Sequence, residues 1–173
     1  MDMLDFEGEA LYFDEPINSE AKQCLESAAD HYGDESVERW LLRAYFLEPA
    51  HPMVLVGLYR YFYYQHRLED ALVVAERTLA VIGKRLELPK DWRDLDEKWL
   101  GSGVMVSMTL IRFYMLALKG AGFLELRLGN YQLALERLTK VAELDTKDRL
   151  GAGALINVAR EAIDQRSLAL QTS

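Results

Sequence analysis

Two stretches of the chain, residues 47–81 and 126–144, can be laid on one template. In each, a short polar turn leads into an apolar-periodic run that carries a small residue near its start, Ala71 in the first and Ala134 in the second. A helical hairpin of this kind cannot bury its apolar side alone, so repeated copies stack into an array. The repeat therefore predicts an all-α fold, and such arrays build curved binding surfaces more often than catalytic centres.

Apolar residues recur at helical spacing along most of the remaining sequence, and turn residues separate the runs. We predict one domain of about three helix pairs, residues 18–167, closed by a C-terminal capping helix. An acidic N-terminal tail over residues 1–17 and a C-terminal tail over residues 168–173 would flank it. The predicted helices cover residues 19–32, 35–47, 53–65, 68–86, 104–128, 132–144 and 150–167.

An insertion separates the two best copies of the repeat. Ala71 and Ala134 are 63 residues apart, whereas one helix–turn–helix repeat takes about 34. Within the inserted segment 86–103, the stretch Pro89 to Leu100 predicts a short amphipathic helix with Trp92 and Trp99 on one face, and residues 101–103 predict a flexible break. Two interpretations stay open: this helix folds back as a lid on the array, or it presents an apolar knob to a partner.

Acidic residues are concentrated at the N-terminal end. Residues 1–38 carry 12 Asp or Glu and one Lys, while the whole chain has a net charge of −8, so the remainder is nearly balanced. The acidic end is either a solvated tail or an electrostatic handle for a basic partner. Since no concentrated basic stripe is present, we expect no nucleic-acid binding.

The composition also indicates the cellular compartment of the protein. The single cysteine, Cys24, permits no internal disulfide and fits a reducing environment. The most apolar stretch, Val104 to Leu118, is short for a membrane span and carries Arg112 in its middle. We therefore expect a cytoplasmic protein that does not cross a membrane.

The repeated hairpins resemble the tetratricopeptide-repeat (TPR) family, whose pattern places large, small and aromatic residues at set offsets. The resemblance covers about three-quarters of the chain, with residues 18–51 as a degenerate copy. It implies a TPR-like array of α-hairpins and leaves the function open. The matching positions are Leu55, Leu58, Tyr59, Phe62, Ala71, Ala75, Thr78 and Gly83 in one copy, and Leu118, Ala121, Gly122, Glu125, Ala134, Leu138, Val141 and Thr146 in the other.

Family geometry implies which side chains line a concave, partner-binding groove. An aromatic and cationic groove suits a peptide with acidic and hydrophobic residues. The run from Tyr59 to Arg67 covers nearly the whole helix circumference, so Tyr63 and Tyr64 are either packing residues or a recognition hot spot. The implied groove residues are Arg60, Tyr63, Tyr64, Lys119, Phe123, Arg127, Asn157 and Arg160, and a possible secondary surface consists of Trp92, Trp99, Phe6, Tyr12 and Phe13.

The stretch Leu42 to Arg77 also resembles small TPR accessory proteins associated with nitrogenase in nitrogen-fixing bacteria. That resemblance implies a non-catalytic adaptor that docks on a larger protein, the nitrogenase molybdenum–iron protein. Alternatives are a chaperone for an export or assembly client, and a small-molecule binder with a pocket under the Trp92/Trp99 helix. The sequence leaves self-association open. With no metal-ligand spacing, phosphate loop or nucleophile motif, we expect no enzyme activity, metal or cofactor.

Overall fold

A computed structural model describes residues 14–171, and within them every regular element is helical. Three hairpins, α1–α2, α3–α4 and α6–α7, follow one another, with α5 inserted before the third and α8 packed on α7. The fold is therefore an all-α hairpin array with an insertion and a terminal helix, as predicted. The helices are α1 (Ser19–Asp30), α2 (Ser36–Leu47), α3 (Pro52–Tyr64), α4 (Leu68–Arg85), α5 (Glu97–Val106), α6 (Met108–Arg127), α7 (Tyr131–Leu144) and α8 (Ala152–Gln171).

Small residues lie where the helices of a hairpin meet. Ala71 of α4 and Ala134 of α7 are completely buried. In the third hairpin Gly122 of α6 faces Leu138 of α7 so closely that an added Cβ would lie 2.9 Å from Leu138 Cγ. At Gly122 the contact leaves no room for a side chain, because a larger residue there would force the two helices apart.

The turns of the second and third hairpins have the same backbone geometry. In the second, the amide of His66 donates to Tyr63 O and the amide of Arg67 to Phe62 O. The third repeats this pattern 63 residues later, around Gly129. Both are Schellman turns, which place their central residue in the left-handed region, with φ of 57° at His66 and 83° at Gly129.

We expect His66→Gly to raise the free energy of unfolding by about 0.5–1 kcal/mol, because glycine adopts positive φ without a Cβ penalty. His66 is exposed, and urea unfolding of the variant measures this change in stability. The matched control is Gly129→Ala, for which we expect a loss of about 1 kcal/mol for the opposite reason. Equal stabilities for wild type and His66→Gly would show that His66 carries no backbone strain.

The insertion differs from the prediction. Instead of one helix over residues 89–100, a 3-10 turn at Trp92–Asp94 precedes α5, which runs through residues 101–103 without a break. The cause is local capping: the Asp91 carboxylate accepts from the amide of Arg93, and the Asp96 carboxylate accepts from the amide of Trp99, so the helix restarts at Glu97. The break lies at Ser107, whose Oγ caps α6 by accepting from the amide of Leu110 at 3.2 Å.

The C-terminal helix is longer than predicted and slightly shifted. It begins at Ala152 and continues to Gln171, so residues 168–171 belong to α8 rather than to a frayed tail. Leu168 and Leu170 are exposed on that extension. The helix extends because no glycine or proline interrupts the sequence after Gly153.

A buried ionic network joins α4, α6 and α7 to the insertion. Arg137 of α7 and Glu125 of α6 are 5% and 4% exposed, and Arg137 Nη2 lies 3.8 Å from Glu125 Oε1. Arg137 also pairs with Glu76 of α4, and its guanidinium lies 5.2 Å from the ring centroid of Trp92. Asn130 Nδ2 completes the site by donating to Glu125 Oε2 at 2.7 Å. Buried charges of this kind hold their elements in a single arrangement, because moving either partner leaves the other unpaired.

Candidate partner-binding surface

Three exposed side chains cluster where the α1–α2 turn approaches α3. Tyr32 and Tyr64 are 59% and 46% exposed, and Arg60 is also exposed. Partial burial raises the pKa of the Tyr32 hydroxyl; the nearby Tyr64 adds to the rise and Arg60 opposes it, so the three groups lie together. Tyr32 was not among the predicted groove residues, because its position depends on how the first hairpin packs on the second.

Ring contacts extend this cluster across α3 to α6. Tyr64 meets Tyr63 edge-on with ring centroids 5.6 Å apart, and Tyr63 meets Phe123 of α6 at 6.1 Å. The guanidinium of Arg127 lies 5.9 Å from the centroid of the Phe123 ring. The result is a continuous row of side chains, which we call the aromatic–cationic strip. Its exposed members are Tyr32, Arg60, Tyr64 and Arg127, and the partly buried Tyr63 and the buried Phe123 connect them.

The predicted groove residues differ in accessibility. Arg127 of α6 and Asn157 and Arg160 of α8 are exposed, as groove-lining residues should be. Phe123 and Lys119, however, are only 8% and 2% exposed. The sequence analysis treated both as open groove positions. In the structure both side chains are buried, so they are not open groove positions.

Tyr63 combines the two alternatives considered for the aromatic run, a packing residue and a part of the candidate surface. It is partly buried and stacks on the fully buried Tyr59, with ring centroids 6.2 Å apart and an interplanar angle of 7°. Tyr64, one residue further, is turned outward. Tyr59 and Phe62 are thus core residues. Tyr63 is a partly buried member of the strip that packs on the core, and Tyr64 with Arg60 offers accessible area.

The two tryptophans of the insertion have separate environments. Trp92 is buried beneath Arg93 and Arg137, and its ring centroid lies 4.3 Å from the Arg93 guanidinium. Trp92 therefore packs the insertion against the array through Arg137 of α7, as the lid interpretation predicts. Trp99 is 40% exposed and lies on α5, whose C-terminal end presents Met105 and Val106. The other members predicted for this secondary surface, Phe6, Tyr12 and Phe13, lie outside the described residues.

A depression of about 640 Å³ lies between the start of α7 and the second half of α8. Tyr131, Leu133, Ile163 and Arg166 are among its lining residues. Within residues 14–171, no group of three or more His, Cys, Asp or Glu side chains is arranged to hold a metal ion. None of the helices in that range combines the length and the apolarity that crossing a bilayer requires.

The fold and the strip define an all-α, hairpin-repeat protein with an aromatic–cationic surface. Comparison with known proteins gives 46% identity over 161 residues to a protein of Azotobacter chroococcum mcd 1, described as an uncharacterized 19.8 kDa protein in the nifW 5' region. The alignment covers 93% of this chain and 90% of that relative, so the chain belongs to the same family. No protein-family model matches the chain, and no solved structure does.

Proposed function

We propose that this protein is a non-catalytic, TPR-like accessory factor of nitrogen fixation that binds a larger protein through the aromatic–cationic strip. The observation that carries the proposal is the continuity of the strip from Tyr32 to Arg127. Tyrosine offers a large contact area at low entropic cost, and arginine forms paired hydrogen bonds with carboxylates. Both residue types are enriched at interface hot spots.

The chemistry of the strip indicates the kind of segment it binds. The two exposed cations of the strip, Arg60 and Arg127, favour acidic side chains in the ligand. The exposed rings of Tyr32 and Tyr64 beside Arg60 favour apolar or aromatic side chains. The natural ligand is therefore an acidic, hydrophobic segment of the partner.

The nitrogenase molybdenum–iron protein is the partner we propose. Its support is twofold: the relative's description refers to the nifW 5' region, and residues 42–77 resemble nitrogenase-associated TPR accessory proteins. An adaptor needs no cofactor of its own, and the proposal assigns none.

The test is affinity capture of the tagged chain from its own nitrogen-fixing cells, followed by direct binding to purified molybdenum–iron protein. We expect Arg60→Glu/Tyr64→Ala to weaken binding at least about tenfold, since hot-spot side chains each contribute more than 1 kcal/mol. The matched control, Arg77→Glu/Phe46→Ala, changes an exposed arginine and an exposed aromatic on α4 and α2 and should bind normally.

The possible outcomes test the interface and the partner separately. Binding that persists in Arg60→Glu/Tyr64→Ala would overturn the strip as the interface. Loss in both double variants would point to misfolding, which circular dichroism checks. Purified molybdenum–iron protein that fails to bind the wild-type chain would overturn the proposed partner.

A further inference from the structure

The depression between the start of α7 and the second half of α8 is not part of the aromatic–cationic strip. Its volume of about 640 Å³ falls within the range of ligand pockets, about 300–1,000 Å³. Tyr131 and Leu133 of α7 line one side, and Ile163 and Leu170 of α8 line the other. Leu170 is 74% exposed, so the depression is open to solvent and a side chain of another molecule can enter it.

The residues of α8 that line the depression are spaced three or four positions apart, so they share one face of the helix. One turn earlier on that face, Ala159 is completely buried and packs with Leu126 of α6 and Ala134 of α7. Because α8 has 20 residues and α7 has 14, the second half of α8 extends past the start of α7 and leaves a space there. The lining residues of α8 are Ile163, Arg166, Ser167 and Leu170.

Arg166 is the one charged side chain among the lining residues that the structure describes. It is exposed. None of the positions three or four residues away on α8 carries a carboxylate, so no neighbour on the same helix face neutralises its charge. A guanidinium beside apolar walls favours a ligand that combines a carboxylate with a bulky apolar group. The strip favours a ligand of the same composition.

The depression begins where the strip ends. Arg127 is the last residue of α6, and Gly129, two residues later, lines the depression. Consecutive Cα atoms are about 3.8 Å apart, so these two positions lie within about 8 Å of each other. From Tyr64 to Arg127, the successive side-chain contacts of the strip span from 5.6 to 6.1 Å each. An extended segment of about eight residues therefore reaches from Tyr64 to the depression.

We propose that the depression is an anchor pocket for the same partner segment that binds the aromatic–cationic strip. A bulky apolar side chain of that segment enters between α7 and α8, and a carboxylate beside it pairs with Arg166. The anchor pocket rests on the proposed function, because it adds a second contact for the ligand of the strip. It narrows that ligand to an extended acidic segment of about eight residues with a large apolar residue near one end.

Amide NMR titration of the full chain tests the anchor pocket without the natural partner. The probe is a synthetic octapeptide of alternating Asp and Trp with both ends capped. We expect it to shift the amide resonances of residues 129–133 and 163–170 together with those of Arg60 and Tyr64. Two matched octapeptides, alternating Lys with Trp and Asp with Ala, lack the negative charge and the apolar bulk respectively. Each should bind at least about tenfold more weakly.

The pattern of shifts decides between a continuous site and separate ones. Shifts confined to Arg60 and Tyr64 would overturn the anchor pocket and leave the strip as the interface. Shifts confined to residues 129–133 and 163–170 would overturn the binding of one segment to both. Equal affinity for any two of the three peptides would overturn the selection of an acidic, apolar ligand. Shifts at residues 163–170 that depend on protein concentration without peptide would assign the pocket to a second copy of the chain and overturn the proposal.

Two pairs of variants test the anchor pocket with purified molybdenum–iron protein. Ser167→Trp fills the depression and Arg166→Glu reverses its charge, so each should weaken binding at least about tenfold. The matched controls, Gln165→Trp and Arg149→Glu, change exposed residues that do not line the depression and should bind normally. Binding by Ser167→Trp as tight as by Gln165→Trp would overturn the anchor pocket and leave the strip intact.

Failure of the anchor pocket and failure of the proposed function are distinguishable. A wild-type chain that does not bind the molybdenum–iron protein would overturn the proposed partner, and the peptide titration would still decide the anchor pocket. Circular dichroism verifies the folding of the four variants, and the titration of the wild-type chain depends on none of them.

Discussion

Arg137→Ala is expected to lower the free energy of unfolding by about 3–5 kcal/mol, the cost of leaving a buried partner charge uncompensated. The charge left behind is Glu125, which is 4% exposed. Glu125 would keep the hydrogen bond from Asn130 but lose its cation. Urea unfolding at neutral pH, with the slope of the transition compared between variants, measures the loss.

Arg93→Ala is the matched control. Arg93 also lies over Trp92 and pairs with a glutamate, Glu136 at 2.9 Å, but its side chain is 49% exposed. Solvent screens such a pair, so we expect a change of about 0–1 kcal/mol. If Arg137→Ala cost no more than Arg93→Ala, the network would not be the desolvated site that its burial indicates.

A double variant separates charge from packing. Arg137→Met/Glu125→Met removes both members of the pair while retaining side-chain volume, and it should recover most of the stability lost in Arg137→Ala. Recovery would assign the loss to the unpaired Glu125 carboxylate. No recovery would assign it to the contacts of Arg137 with Trp92 and Glu76.

Gly122→Val is expected to cost about 3 kcal/mol, at the upper end of the range for overpacking a core. An added Cβ at this position would meet Leu138 Cγ at 2.9 Å and Arg137 Cβ at 3.3 Å. Leu138 is completely buried and cannot turn away freely, so α6 and α7 would have to separate. Thermal and urea unfolding of the variant both report the loss.

The control for this substitution is Gly101→Val on α5. No atom of residues 14–171 lies within 4 Å of a Cβ added at Gly101, beyond its own chain neighbours and helix backbone. Valine and glycine differ by a few tenths of a kcal/mol in helix propensity, so we expect a change within about 0.5 kcal/mol. A Gly122→Val variant as stable as Gly101→Val would show that the third hairpin has room to adjust.

Local signals in the sequence predicted most helix boundaries to within two residues. Asn18 caps α1 as expected, its Oδ1 accepting from the amides of Glu20 and Ala21. Pro52 is the first residue of α3. Its missing amide hydrogen costs nothing there, because the first amides of a helix have no acceptor within the helix. The insertion was predicted wrongly because helical periodicity was given more weight than Asp91 and Asp96, whose side chains compete with the helix for backbone amides.

The candidate surface was predictable in part. Arg60, Tyr64 and Arg127 followed from the repeat offsets, and all three are exposed. Tyr32 joins them through the packing of one hairpin on the next, which no local pattern reports. Repeat offsets likewise do not report the burial of Lys119, since an offset gives the direction of a side chain and not what covers it.

By itself, the sequence determined the all-α hairpin repeat, the small residues at positions 71 and 134 and the acidic character of residues 1–38. These depend on interactions between residues close together in the chain, namely helical periodicity, capping and turn geometry. The tertiary structure alone decided the burial of Arg137 with Glu125, the separate environments of Trp92 and Trp99, and the continuity of the strip. Those features depend on contacts between residues on different helices, from 12 to more than 60 positions apart, whose distances follow from how the helices pack.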